Sequence, residues 1–152
     1  MDKVALFLTY AKEFEVTFKD DDWSRIEPFF ADDAVYEVLN APFACRIEGR
    51  AAILAGLRKS ISGFDRRMDS RRIEVLSPPQ ANGDEFSVAW AVTYTLGELP
   101  PLRIAARTVA RYRGDAIEYL SDIYENAAGP ASLAWIAQAE AATGTTYDFA
   151  YT

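Results

Sequence analysis

From Glu85 to Glu125 the chain is almost all strand: Glu85 to Leu96, Leu102 to Tyr112 and Ala116 to Glu125 are three long runs of β-branched and aromatic residues. Pro100-Pro101 breaks the first from the second, and Gly114-Asp115 makes a hairpin turn between the second and the third. Strands this long, joined this tightly, form an antiparallel meander, and such a sheet buries one face against helices. The upstream sequence supplies them. Residues 2–19 bring Val4, Phe7, Leu8, Ala11, Phe14 and Phe18 together at helical spacing, with Lys3, Lys12, Glu13 and Lys19 opposite. Residues 49–62 repeat the pattern with Ile53, Leu54, Leu57 and Ile61, and Gly63 is placed to end that helix.

Shorter elements fill the intervals. A short helix is expected over 22–30, capped by one aspartate of the run Asp20-Asp21-Asp22, which lacks the glycine and alternating oxygens of a calcium loop. Asp32-Asp33 predicts a turn, Ala34 to Leu39 a first strand, and Cys45 to Ile47 a short extended piece. Arg71 to Leu76 reads as a strand stopped by Pro78-Pro79, with Asn82-Gly83-Asp84 turning the chain back. A helix near 131–142 precedes the aromatic stretch Tyr147, Phe149 and Tyr151, for which a pocket lid, a subunit-swapped clasp and disorder all stand open. The 152 residues suit one domain, with 1–125 forming the α+β body and 126–152 its C-terminal helix and tail.

What is missing narrows the chemistry. There is no histidine and a single cysteine, Cys45. That removes imidazole catalysis, Ser-His-Asp and Cys-His nucleophiles, disulfides and multi-cysteine zinc sites, and leaves Asp, Glu, Tyr, Lys, Arg or Cys to move protons. A net charge of −7 disfavours nucleic acid. No apolar run approaches the roughly 20 residues of a membrane span. Met1-Asp2-Lys3-Val4 does not open a signal peptide, so a cytoplasmic protein is expected.

Strand parity separates the inner from the outer face. Arg103, Arg107 and Arg111 share one face of their strand, marking it for solvent or a subunit, so Ile104, Ala106, Thr108, Ala110 and Tyr112 face the helices. In the preceding strand Phe86, Val88, Trp90, Val92 and Tyr94 are expected inward; parity alone does not decide the last strand, where Glu118, Leu120, Asp122 and Tyr124 are taken inward on the resemblance described next.

The order helix, short helix, strand, helix, meander resembles the nuclear transport factor 2-like superfamily. Two stretches carry the resemblance: Ile26-Glu27-Pro28-Phe29-Phe30-Ala31-Asp32-Asp33-Ala34-Val35-Tyr36 and Glu48-Gly49-Arg50-Ala51-Ala52-Ile53. It implies an α+β, cystatin-like cone: a curved mixed or antiparallel sheet packed against N-terminal helices, plus a C-terminal helix. It also implies a homodimer formed through the outer sheet face. Among its branches the ketosteroid isomerases fit poorly, since their base, helix tyrosine and protonated aspartate correspond to Val38, Phe14 and Thr108. Limonene epoxide hydrolases are similar at Tyr36, Asn40 and Asp122, but Val92 and Tyr94 stand where they carry an arginine and an aspartate. The SnoaL-type cyclases fit better, because they resemble this chain in placing one acid from a late strand in a hydrophobic cavity.

The resulting expectation is a cofactor-free, metal-free enzyme acting on a small hydrophobic molecule as an isomerase, cyclase, dehydratase or hydrolase. Asp122 is the acid/base, Tyr36 and Asn40 orient substrate or water, and Tyr10, Phe14, Phe18, Val38, Phe43, Trp90, Val92, Tyr94, Thr108 and Tyr124 shape the pocket. The rival expectation is a non-catalytic ligand-binding or subunit-interaction module. An enclosed pocket with Asp122 in its wall separates the first from the second.

Overall fold

The computed structural model describes residues 2–152. Helix α1 (Lys3–Asp20) starts where the Asp2 carboxylate accepts the Val4 amide at 3.0 Å and ends at Asp21, whose left-handed backbone (φ 62°) returns its N–H to the Thr17 carbonyl. Leu6, Phe7, Tyr10 and Thr17 form its most buried face, while Leu8 turns half outward.

Residues 22–30 do not form a short α-helix. Two 3-10 turns, Trp23–Arg25 and Glu27–Phe29, stand there instead. Pro28 explains the difference: its ring disfavours the α conformation in the residue before it and it has no N–H to donate. The three aspartates cap nothing at this point. Asp20 grips Arg25 at 2.8 and 2.6 Å, Asp21 accepts the Trp23 indole and Arg66 at 2.7 Å each, and Asp22 accepts Ser24.

Strand β1 (Phe30–Leu39) begins earlier than expected, so Asp32 and Asp33 lie inside it, where the pairing with the last strand is irregular between Phe30 and Val35. Both carboxylates face arginines, Asp32 with Arg50 and Asp33 with Arg113. Strand β2 (Cys45–Glu48), helix α2 (Arg50–Gly63), strand β3 (Ser70–Val75), β5 (Glu85–Thr95), β6 (Leu102–Arg113) and β7 (Ala116–Tyr124) fall close to the expected bounds. A three-residue β4 (Gln80–Asn82) lies ahead of the turn and pairs with β5. Helix α3 (Ala128–Thr143) starts three residues before its expected position.

The sheet runs β2-β1-β7-β6-β5-β3. The β5-β6-β7 meander is antiparallel throughout, and β1 joins it parallel to β7, making the sheet mixed and unclosed. Its concave face holds the core. Phe7 of α1 stacks on Phe86 of β5 at 4.1 Å between ring centres, while α2 lies against β1 and β2, and α3 against β6. The chain therefore has the expected α+β cone.

Parity along β5 and β6 is as the pattern required, but β7 departs at one residue. Tyr112 pairs with Ile117 and Arg111 with Tyr119, leaving Glu118 as an extra residue in a β-bulge. Ile117 is therefore fully buried, and Glu118, expected inward, turns outward to Arg111 and Arg113. Past the bulge the alternation resets, and Leu120, Asp122 and Tyr124 face inward.

The residues after α3 fold back on α2 of the same chain. Asp148 N–H donates to the Gly63 carbonyl at 3.2 Å, Ser60 Oγ donates to the Phe149 carbonyl at 2.8 Å, and Lys59 donates to Asp148 and the Ala150 carbonyl. Among the described residues no helix is long and apolar enough to cross a membrane.

Candidate active site

Between the concave face, α1, α2 and the C-terminal tail lies a cavity of about 250 Å³. It opens between α1 and β3, where the wall residues Leu8, Ile73 and Val75 are 49%, 39% and 61% exposed. The walls are apolar and aromatic, with polar groups gathered in two places.

The first surrounds Asp122. The β6–β7 register sets Thr108 directly opposite Asp122, and the Thr108 hydroxyl donates to Asp122 Oδ1 at 2.6 Å. Trp90, on β5, donates its indole N–H to the same Thr108 oxygen at 2.8 Å. On the other side the parallel β1–β7 pairing puts Val38 opposite Asp122, and Tyr36, two residues back along β1, donates its hydroxyl to Asp122 Oδ2 at 2.7 Å. Each carboxylate oxygen thus accepts one hydroxyl. Asp122 keeps some accessible surface, and that surface belongs to the cavity wall. Burial pushes its carboxyl above the usual range, with the Thr108 and Tyr36 hydrogen bonds working the other way. Burial first, and then the Asp122 charge, hold the Tyr36 phenol well above its ordinary value.

The second polar group is at Asp65, in the turn after α2. Its Oδ2 accepts the Tyr94 hydroxyl at 2.8 Å and Arg71 Nε at 3.1 Å, while Arg71 Nη1 reaches both oxygens of Glu15 on α1 at 3.0 Å. Burial raises the Asp65 carboxyl, and the charge of Arg71 and the two hydrogen bonds oppose the rise. The Ser132 hydroxyl, on α3, lines the same cavity and has no hydrogen-bond partner among the described residues. Among those residues no group of three or more Cys, Asp or Glu is arranged to hold a metal ion.

Most of the residues picked out by the sequence meet here. Tyr10 and Phe14 come from α1, Tyr36 and Phe43 from β1 and the loop after it, Trp90, Val92 and Tyr94 from β5, Thr108 from β6, and Asp122 and Tyr124 from β7. Three do not. Asn40 is exposed at a positive-φ position (63°) in the turn leaving β1, outside the cavity wall. Val38 is fully buried behind the lining, and Phe18 sits beyond it under the guanidinium groups of Arg66 and Arg71.

A family model for the SnoaL-like domain matches residues 11–120. The chain belongs to the SnoaL-like family. As a small-molecule binding or catalytic domain, this SnoaL-like chain also shares its fold with solved structures of low identity. An LEH-like epoxide hydrolase of M. tuberculosis superimposes with a TM-score of 0.61 at 14% identity, covering 93% of this chain and 98% of that one. An NTF2-like protein from Burkholderia xenovorans LB400 gives 0.58 at 19% identity, with 82% and 92% covered. TerC, co-crystallised with polyporic acid, gives 0.59 at 14% identity, with 80% and 92% covered. No curated protein matches the chain.

Sequence reasoning missed the Asp65–Arg71–Glu15 group and left the tail open between a lid, a clasp and disorder; Glu15, Asp65, Arg71, Phe149 and Tyr151 all line the cavity of the SnoaL-like domain. Arg71 did leave a signal, because it shares strand parity with Ile73 and Val75, which also face the cavity. Asp65 left none: it sits in a turn, where parity has no meaning.

Proposed function

We propose that this SnoaL-like protein is a small-molecule enzyme in which Asp122 serves as general acid/base on a hydrophobic substrate. The observation that carries the reading is the carboxyl itself, desolvated in an aromatic cavity and fixed by one hydroxyl on each oxygen. A carboxylate whose burial raises its proton affinity is suited to take a proton from carbon next to a carbonyl. The bond to hydrogen breaks, its electron pair moves onto the carbonyl oxygen, and the proton rests on Asp122. The same carboxyl then returns it to another carbon, or to a leaving hydroxyl that departs as water. Tyr36 and Thr108 hold the carboxyl in place throughout, and Ser132 offers a hydroxyl to a polar group on the substrate.

A concave apolar cavity, open on one side between α1 and β3 and with the acid in its wall, supports a ligand-handling site over a solid interaction module. The substrate class that fits is a compact, largely apolar molecule bearing a carbonyl or enol. A homodimer through the outer face of β5 and β6 belongs to the same reading, on the strength of the family resemblance.

The test is Asp122→Asn, assayed on a substrate identified by screening carbonyl compounds of this size. Loss of a general acid/base is worth about 100-fold or more in turnover. Activity surviving within about tenfold removes the catalytic role.

A further inference from the structure

The family match ends at residue 120, yet one wall of the cavity comes from the far C-terminus. We propose that Tyr151 is a positioning residue of the Asp122 centre: its ring orients Tyr36 toward Asp122, and the tail that delivers it closes the inner end of the chamber to water. This rests on the catalytic reading of Asp122.

The geometry begins on α2. Gly56, Ser60 and Gly63 lie on one face of that helix, and the tail backbone runs directly over them. A Cβ on Gly56 would stand 2.9 Å from the Tyr151 carbonyl oxygen, and one on Gly63 only 2.0 Å from the Asp148 carbonyl oxygen. No other residue permits so close an approach without moving the tail. Hydrogen bonds from Ser60 and Lys59 hold the backbone down between these points, and Arg67 covers Tyr147 at 4.5 Å. The tail is fastened along its length.

That fastening aims two aromatic rings. Phe149 meets Phe43 edge-on at 4.6 Å, and Tyr151 meets Tyr36 edge-on at 5.5 Å. Tyr36 is the residue that donates to Asp122, so Tyr151 acts on the carboxyl through it. Burial first, and then the Asp122 charge, push the Tyr151 phenol up, as expected of a hydroxyl buried close to that carboxyl.

The test follows the Asp122 side-chain carboxyl by carbon-detected NMR titration in the full chain and three full-length variants. Tyr151→Phe keeps the ring, Tyr151→Ala removes it, and Gly63→Ala dislodges the tail from outside the chamber, since Gly63 does not line it. The intact chain and Tyr151→Phe are expected to titrate above the ordinary aspartate range. In Tyr151→Ala and Gly63→Ala the loosened Tyr36 bond raises the carboxyl and admitted water lowers it; burial is the larger influence on Asp122, so both variants are expected to fall toward that range, with amide spectra unchanged away from the tail. If Asp122 titrates in the latter two as it does in the intact chain, the proposal is overturned. An ordinary titration already present in the intact chain would instead remove the catalytic reading on which it rests.

Discussion

Thr108 takes a hydrogen bond from an indole and gives one to a carboxylate, and Asp122 accepts hydroxyls on both sides. These bonds ease the ionisation of Asp122 without cancelling the effect of burial. A carboxyl that holds its proton more tightly when folded makes the folded chain bind more protons than the unfolded one. Its contribution to stability is then full below the ordinary aspartate range and is lost as pH rises through the raised folded value. Asp122→Asn should therefore flatten the decline of stability between about pH 4 and pH 7, read from urea midpoints. An unaltered slope would mean that Asp122 ionises in the folded chain as it does in water. At this scale the sequence was legible wherever alternation governs: Thr108, Trp90 and Tyr94 face the cavity their parity assigned, whereas Asp122 lies beyond a bulge that breaks the alternation, and its face came from the resemblance. Asn40 escaped the rule because β1 ends at Leu39, and a residue in a left-handed turn keeps no strand face.

Elements are joined across the chamber by one cation. Arg71 ties β3 to α1 through Glu15 and to the turn after α2 through Asp65, and its guanidinium also covers Phe18 at 4.9 Å. Side-chain exposure is 11% for both Arg71 and Asp65, so removing the cation leaves a buried carboxylate without its charge partner. Arg71→Met should cost about 3 kcal/mol at neutral pH and less near pH 4, where Asp65 can take up a proton. Equal losses at the two pH values would assign the cost to packing. Element type was readable from periodicity, and the strand and α2 bounds agree to within a few residues. The parallel joining of β1 to β7 was not readable, because it pairs segments some eighty residues apart and no local pattern records it. Nor were the two 3-10 turns, although Pro28 was in plain view.

On the outside of the molecule the arginine row behaves as solvated strand chemistry. Arg103 pairs with Glu74 and Arg111 with Glu118, both pairs about half exposed or more on the arginine side. Between them Ala91 and Ala105, paired across β5 and β6, are buried beneath their neighbours. If this face joins two copies, sedimentation should give a mass of two chains at micromolar concentration, falling toward one on dilution. One chain at every concentration would dismiss the dimer. The cone itself was legible because the meander, the two helices and the two motif stretches agreed on it. The cavity was only half legible, since its second acid and its inner wall lie in a turn and a tail with no repeating pattern to betray them.

The single supernumerary residue in β7 has an effect well beyond its own corner. Counting from the Gly114 hairpin, an uninterrupted strand that hid Ile117 would have turned Asp122 to the outside, where an acid is one charge among many. Glu118 supplies the half-step that lets the hairpin keep its isoleucine indoors and still delivers the acid to the chamber. The place of this candidate acid is thus decided by an odd number, counted out on a strand four residues before the group it places.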